Sequence, residues 1–271
     1  MHYPVFFTIL LMLHRLYAPF IFPSMHHSGI IMYFRTRTFL YRCLTCQQHF
    51  KGSGRVCSLC LSQLPWLHLA CYRCGLPLKT QDHSLCRLCR DQNQNCLAKR
   101  SLFCFSYTHP IDHMIKAWKF DGALIYEAFF IDCLRDLIEK KVPLDEMPEG
   151  IISVPISKKR CQERGFNQSM ALTKKIAKTF QIKRYDHILG CHFQKQHQAS
   201  LNSQERKKNL TTTFYMKKTF ALPKHMAIVD DVMTTGATLN TMAKLLFDQG
   251  VEQVDYWGIA RVDWMISTLN E

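Results

Sequence analysis

Between Met226 and Thr238 the chain reads MAIVDDVMTTGAT: a hydrophobic strand, two adjacent acids, then hydroxyls and a glycine where a helix is expected to begin. Amides in the first turn of a helix have no partner inside it and carry the positive end of the helix dipole. Around Ala237, Gly236 permits close backbone approach, while Thr234, Thr235 and Thr238 add hydroxyl donors. That combination suits a dianionic phosphate. Asp230 and Asp231 would repel the phosphate itself; carboxylates there suit neighbouring hydroxyls, a developing positive charge or a metal ion. Acids for a sugar's hydroxyls beside a cradle for its phosphate describe a ribose 5-phosphate site. The bland alternative, a capped helix with incidental acids, leaves the length of the pattern unexplained. Neither a Walker A loop nor a GxGxxG fingerprint occurs, so triphosphatase and dinucleotide readings lose their main support.

A second chemistry is written in cysteine. Eight of the 13 cysteines form four CxxC pairs: Cys43/Cys46, Cys57/Cys60, Cys71/Cys74 and Cys86/Cys89. Two residues between thiolates let a tight turn aim both sulfurs at one ion, and a tetrahedral structural Zn²⁺ takes two such turns. The pairs therefore predict a double zinc ribbon. The simplest grouping puts Cys43, Cys46, Cys57 and Cys60 on one ion and Cys71, Cys74, Cys86 and Cys89 on the other, although crossed pairing also satisfies the spacing. A disulfide scaffold is the competing reading, and repeated CxxC fits it less well. Gly75 follows Cys74 where a knuckle can need positive φ, and Leu64-Pro65-Trp66 reads as a packed linker between ribbons. His49, His68 and His83 read as free surface residues because eight thiolates already suffice. Cys96, Cys104, Cys133, Cys161 and Cys191 show no spacing relationship and read as buried or incidental.

At 271 residues and 47% hydrophobic, the chain can bury a real core, which excludes wholesale disorder. It carries 35 Lys+Arg against 21 Asp+Glu, a net charge of +14, which calls for an anionic ligand such as nucleic acid, phosphate or an acidic membrane surface. Most of the excess lies between Ser153 and Leu210, where 13 Lys/Arg face three acids, Glu163, Asp186 and Glu205. A solvated basic face is the ordinary explanation of such a run; here it adjoins the phosphate loop.

The elements that must position these groups alternate. Strands are expected over 101–108, 151–155, 225–229 and 254–260, and helices over 110–120, 124–141 and 167–180, with a last helix carrying Leu239, Met242, Ala243 and Leu246 to a stop at Gly250. This order predicts a parallel α/β sheet with its ligand at the carboxyl ends of the strands. Residues 5–22 are apolar at 14 of 18 positions, yet His14 and Arg15 interrupt them and Pro19 breaks the last turn. The segment reads as an upstream stretch ahead of a start at Met25 or Met32, with an interfacial or inner-membrane anchor as the minority reading. The expected organisation is an extension over 1–40, a double zinc ribbon over 41–96 and an α/β domain over 97–271, in a cytoplasmic protein.

The strand, paired acids and TTGAT turn resemble the signature of type I phosphoribosyltransferases. With the Cys-rich start, Trp118-Lys119-Phe120-Asp121-Gly122, Val154-Pro155-Ile156-Ser157, Arg164-Gly165-Phe166-Asn167-Gln168 and Gln198 to Asn209 in that order, the chain resembles the ComF family over about residues 43–262. It departs from the family pattern at Lys195-Gln196-His197, where Arg and Thr usually precede the Gln. The resemblance implies a type I phosphoribosyltransferase-like sheet flanked by helices behind the ribbon. It implies that Asp230 and Asp231 hold ribose hydroxyls of 5-phosphoribosyl 1-pyrophosphate and that 234–238 hold its 5-phosphate. Lys119, Ser157, Lys158, Arg160 and Arg164 are then candidates for the pyrophosphate end, with Mg²⁺ as cofactor. Gln198, Glu205, Arg206 and Asn209 resemble the lid of that fold. The family's link to DNA uptake adds single-stranded DNA and competence proteins as candidate partners, and a non-catalytic DNA-handling adaptor as the alternative to a transferase. No residue identifies the acceptor nucleophile.

Overall fold

The computed structural model describes residues 40–52, 54–80, 84–91, 96–191, 214–217 and 221–263. The apolar segment 5–22, His83 and residues 195–209, with the expected lid residue Arg206, therefore lie outside the described residues. Among the described residues no helix is long and apolar enough to cross a membrane.

The ribbons come first. Strands β1 (Leu40–Arg42) and β2 (His49–Lys51) pair antiparallel around the first CxxC turn, and the short helices α1 (Ser58–Gln63) and α2 (Arg87–Arg90) each begin within a later one, capped by Cys57 and Cys86. Gly75 adopts φ 69°, as its place after Cys74 predicts, and a Cβ there would sit 2.7 Å from the Phe103 ring. The second ribbon is thus pressed against the main sheet.

That sheet is parallel throughout, in the order β3 (Arg100–Ser106), β9 (Gln253–Arg261), β8 (His225–Met233), β4 (Gly150–Ser153), β5 (Lys183–Arg184). β9 is buried from Val254 to Arg261, as a strand covered on both faces must be. Successive residues serve opposite faces. Ile151, Val229 and Trp257 pack with Ile111 and Trp118 of α3 (Ile111–Phe120), Phe130 and Leu134 of α4 (Ile125–Lys141) and Leu172 and Ile176 of α6 (Gln168–Phe180). Ile152, Ile228 and Tyr256 pack instead with Leu239, Met242 and Leu246 of α7 (Ala237–Phe247). Cys43, Leu44, Val56 and Leu64 of the first ribbon join the former cluster. An antiparallel pair, β6 (Leu189–Cys191) and β7 (Phe214–Met216), lies on the α7 side.

Three local expectations change. β8 runs on to Met233, so both acids lie inside the strand rather than after it, and α7 starts at Ala237 rather than at Thr234. A helix absent from the sequence reading, α5 (Lys158–Arg164), follows β4; it buries no residue and so has no apolar periodicity to betray it. The loops leaving the neighbouring strands β4 and β8 now diverge, one to the α6 face and one to the α7 face. Such divergence at the carboxyl ends of adjacent strands opens a crevice.

Candidate functional site

The crevice is a cavity of about 340 Å³ whose wall includes Lys119, Ser157, Arg160, Arg164, Asp230, Asp231 and Thr238. Seven separately nominated side chains thus meet across α3, the β4–α5 turn, α5, β8 and α7. Others stand apart: Lys158 is exposed, and of the loop 234–238 only Thr238 is on the wall, with Thr234 and Thr235 facing solvent.

The acids anchor the site. Lys119, near the end of α3, donates from Nζ to Asp231 Oδ1 at 2.7 Å. Asp230 Oδ1 accepts from the Ser169 hydroxyl at 2.9 Å and from the Asp231 amide at 2.9 Å. Burial and the Asp231 charge push the Asp230 carboxyl up to about 7, against the pull of Lys119 and Ser169. A buried Asp230 carboxyl beside the Asp231 charge gains from an added cation or from hydroxyl donors.

The RGFNQ run explains how the basic wall is held. Ser157 caps α5 by accepting from the Arg160 amide at 3.3 Å, and Gly165 ends that helix at φ 78°. Phe166 packs on Trp118, and Asn167 caps α6 through the Met170 amide at 3.3 Å while donating to the Val154 carbonyl at 3.0 Å. This returns Arg164, Gln168 and Ser169 to the cavity. Arg164 lies over the Phe120 ring at 5.1 Å and donates to Gln168 Oε1 at 3.5 Å. The Gln168 side chain is 1% exposed, and its Nε2 has no hydrogen-bond partner among the described residues. A buried amide donor at a cavity wall suits an oxygen-rich ligand, since leaving it unpaired is costly.

Sequence reasoning missed part of this wall. Ser169 directly follows the RGFNQ run, but its partner is 61 residues away. Cys191, whose spacing marks it as incidental, and Phe214 also line the cavity, brought there by β6 and β7.

On the α7 side Gly236 is the N-cap at φ 82°, a conformation natural to glycine, and its carbonyl accepts the Asn240 amide at 2.9 Å. The amides that follow it have no backbone partner within the helix; that of Ala237 donates to the Thr235 hydroxyl at 3.4 Å.

The cysteines gather in the simpler grouping. Cys43, Cys46, Cys57 and Cys60 form one cluster and Cys71, Cys74, Cys86 and Cys89 the other, with all sulfurs of a cluster within 4.8 Å of one another. Representative separations are 4.0 Å for Cys46–Cys57 and 3.6 Å for Cys74–Cys86. A tetrahedral Zn²⁺ with bonds of ~2.3 Å needs sulfurs roughly 3.8 Å apart, so both clusters fit that ion. The sulfurs also compete for charge: against burial, backbone amides led by that of Cys57 draw Cys43 down to about 6, while burial and the neighbouring cysteines push Cys60 up to about 12. A divalent cation relieves that competition. Among the described residues, neither ligand set includes a histidine.

A family model described as a double zinc ribbon domain matches residues 38–98. Competence protein F of Haemophilus influenzae is 30% identical over 237 residues, covering 82% of this chain and 98% of that protein. The chain belongs to the ComF family. Another relative, DNA utilization protein YhgH of Escherichia coli O6:H1, is 29% identical over 215 residues, covering 78% of this chain and 92% of its own length. Among solved structures, adenine phosphoribosyltransferase from Leishmania tarentolae aligns with TM-score 0.37 and 11% identity, over 59% of this chain and 91% of that one. At that score the fold class rests on the ComF chain's own sheet order, crossovers and strand-end crevice.

Proposed function

We propose that the crevice binds 5-phosphoribosyl 1-pyrophosphate with Mg²⁺ and transfers the phosphoribosyl group to a nucleophile. The observation that carries this reading is the meeting of two strand acids, a helix start with Thr238, and the cations Lys119, Arg160 and Arg164 around one cavity. Asp230 and Asp231 would take the ribose hydroxyls, and the helix-start amides with the Thr238 hydroxyl the 5-phosphate. Lys119, Arg160, Arg164 and the Gln168 amide would face the pyrophosphate. When C1 of the ribose loses pyrophosphate it becomes cationic, which the acids favour, while the departing oxygen gains charge that the basic wall favours. Mg²⁺ would supply further neutralisation at the pyrophosphate, and a pair of carboxylates plus substrate phosphates is an ordinary setting for that ion. Replacing both acids by Asn should abolish ligand-dependent pyrophosphate release in folded, zinc-loaded protein. Unchanged release would sink the assignment.

A second reading is supported by the basic helix α5, whose Lys158, Lys159 and Arg160 are exposed, and by the DNA-related names of the relatives. In it the ComF chain handles single-stranded DNA during uptake, with or without transfer chemistry. Electrostatic binding of this kind weakens steeply between about 50 and 200 mM salt. Absent or salt-insensitive binding of an oligonucleotide counts against it.

A further inference from the structure

Arg261 closes β9 with its side chain fully buried. Its Nε donates to the carbonyl of Cys74 at 2.9 Å, inside the second metal knuckle. Its Nη1 donates to the carbonyls of Met233 at 3.1 Å and Val262 at 2.8 Å, and to that of Thr234. One guanidinium therefore holds the knuckle and the first residue of the candidate phosphate loop at once. A buried guanidinium needs an opposing charge. Four thiolates around a divalent cation keep a net charge of about −2, which answers the cation directly.

A second tie runs parallel. Asn240 of α7 accepts at Oδ1 from the Leu97 amide at 3.1 Å, in the segment leaving the ribbon, and from the Tyr256 hydroxyl at 2.8 Å. The knuckle itself is fastened to β3, since Ser101 Oγ donates to the Arg73 carbonyl at 2.6 Å. Loop, helix start and knuckle thus form one hydrogen-bonded block.

We infer that Arg261 is a positioning residue through which the second four-cysteine cluster sets the geometry of the 234–238 loop. The first cluster, packed against α4 and the opposite sheet face, has no such link among the described residues. The consequence for ligand rests on the transferase reading above; the coupling between knuckle and loop does not.

The test uses the full chain with both metals bound, as wild type, Arg261→Lys and Arg261→Met. Lys keeps the charge but cannot reach three directions at once; Met keeps bulk alone. Amide exchange in peptides covering 230–240 should rise at least tenfold in both variants, while peptides from α6 stay unchanged. Zinc loss to a chelator should have two phases, and Arg261→Met should hasten only one of them. If the wild type binds 5-phosphoribosyl 1-pyrophosphate, the ligand should slow that same phase, by the reciprocity of linked equilibria, and Arg261→Lys should abolish the slowing. Unchanged loop exchange in variants that hold two zinc ions overturns the inference. Should Arg261→Met not fold, Arg261→Lys and the wild-type ligand effect decide it. Failure of the wild type to bind the ligand defeats the transferase reading and leaves the exchange comparison to judge the coupling.

Discussion

Lys119 Nζ sits 2.7 Å from Asp231 Oδ1 within β8, so one of the two strand acids carries its own cation while Asp230 leans on the Ser169 hydroxyl. Both members of the ion pair are largely shielded, with side chains 16% and 9% exposed. Removing one partner from such a pair strands the other charge. Lys119→Met should therefore cost about 1 to 3 kcal/mol of stability at pH 8. The loss should be smaller at pH 6, where Asp230 holds a proton and no longer repels Asp231. Urea unfolding at the two pH values measures this, and an equal loss at both would remove the pair's electrostatic role.

The raised Asp230 carboxyl makes its own prediction. It titrates near 7 in the folded chain against an ordinary 3.8, so the folded state holds that proton more tightly than the unfolded one. The stability this supplies is complete below the unfolded value and is lost as pH rises through about 7. Asp230→Asn should then be more stable than wild type at pH 8, by up to about 4 kcal/mol, with a flatter profile between pH 5 and 8. A variant that is less stable at pH 8 would contradict this.

What the sequence revealed and what it hid divide along one physical line. The CxxC pairs and the 226–238 run were legible because each packs its chemistry into a few adjacent residues. Lys119 and Arg164 could be nominated only through short runs that resemble a family. Ser169, Phe214 and Arg261 were illegible: Ser169 meets Asp230 across 61 residues and Arg261 meets Cys74 across 187, and no local pattern encodes either pairing. The boundaries of β8 failed for a related reason. Asp230 and Asp231 look like a strand's end by polarity, yet β9 continues beside them and keeps the ladder going to Met233.

Metal content separates the two clusters. Elemental analysis should give two zinc ions per chain. Cys74→Ser, within a cluster whose four cysteines are all buried, should lose one ion and lower the melting temperature more than Cys46→Ser, whose side chain is exposed. Retention of two ions by Cys74→Ser would argue against the four-thiolate assignment.

Gly258 of β9 pairs with Asp230, and a Cβ added there would lie 2.6 Å from the Asp230 carbonyl oxygen and 2.7 Å from the Phe103 ring. Backbone on one side and a packed ring on the other leave little room to yield. Gly258→Ala should destabilise the chain by about 1 to 3 kcal/mol and displace the acids enough to weaken ligand binding. Denaturant unfolding alongside a binding titration checks both, and a neutral substitution would show that the sheet relaxes there freely.

The most direct test is calorimetric titration of 5-phosphoribosyl 1-pyrophosphate with Mg²⁺ into the zinc-loaded full chain, beside a variant with Asp230→Asn and Asp231→Asn. The wild type should bind at one site and the folded double variant not at all. No binding by folded wild type, or equal binding by both, would contradict that.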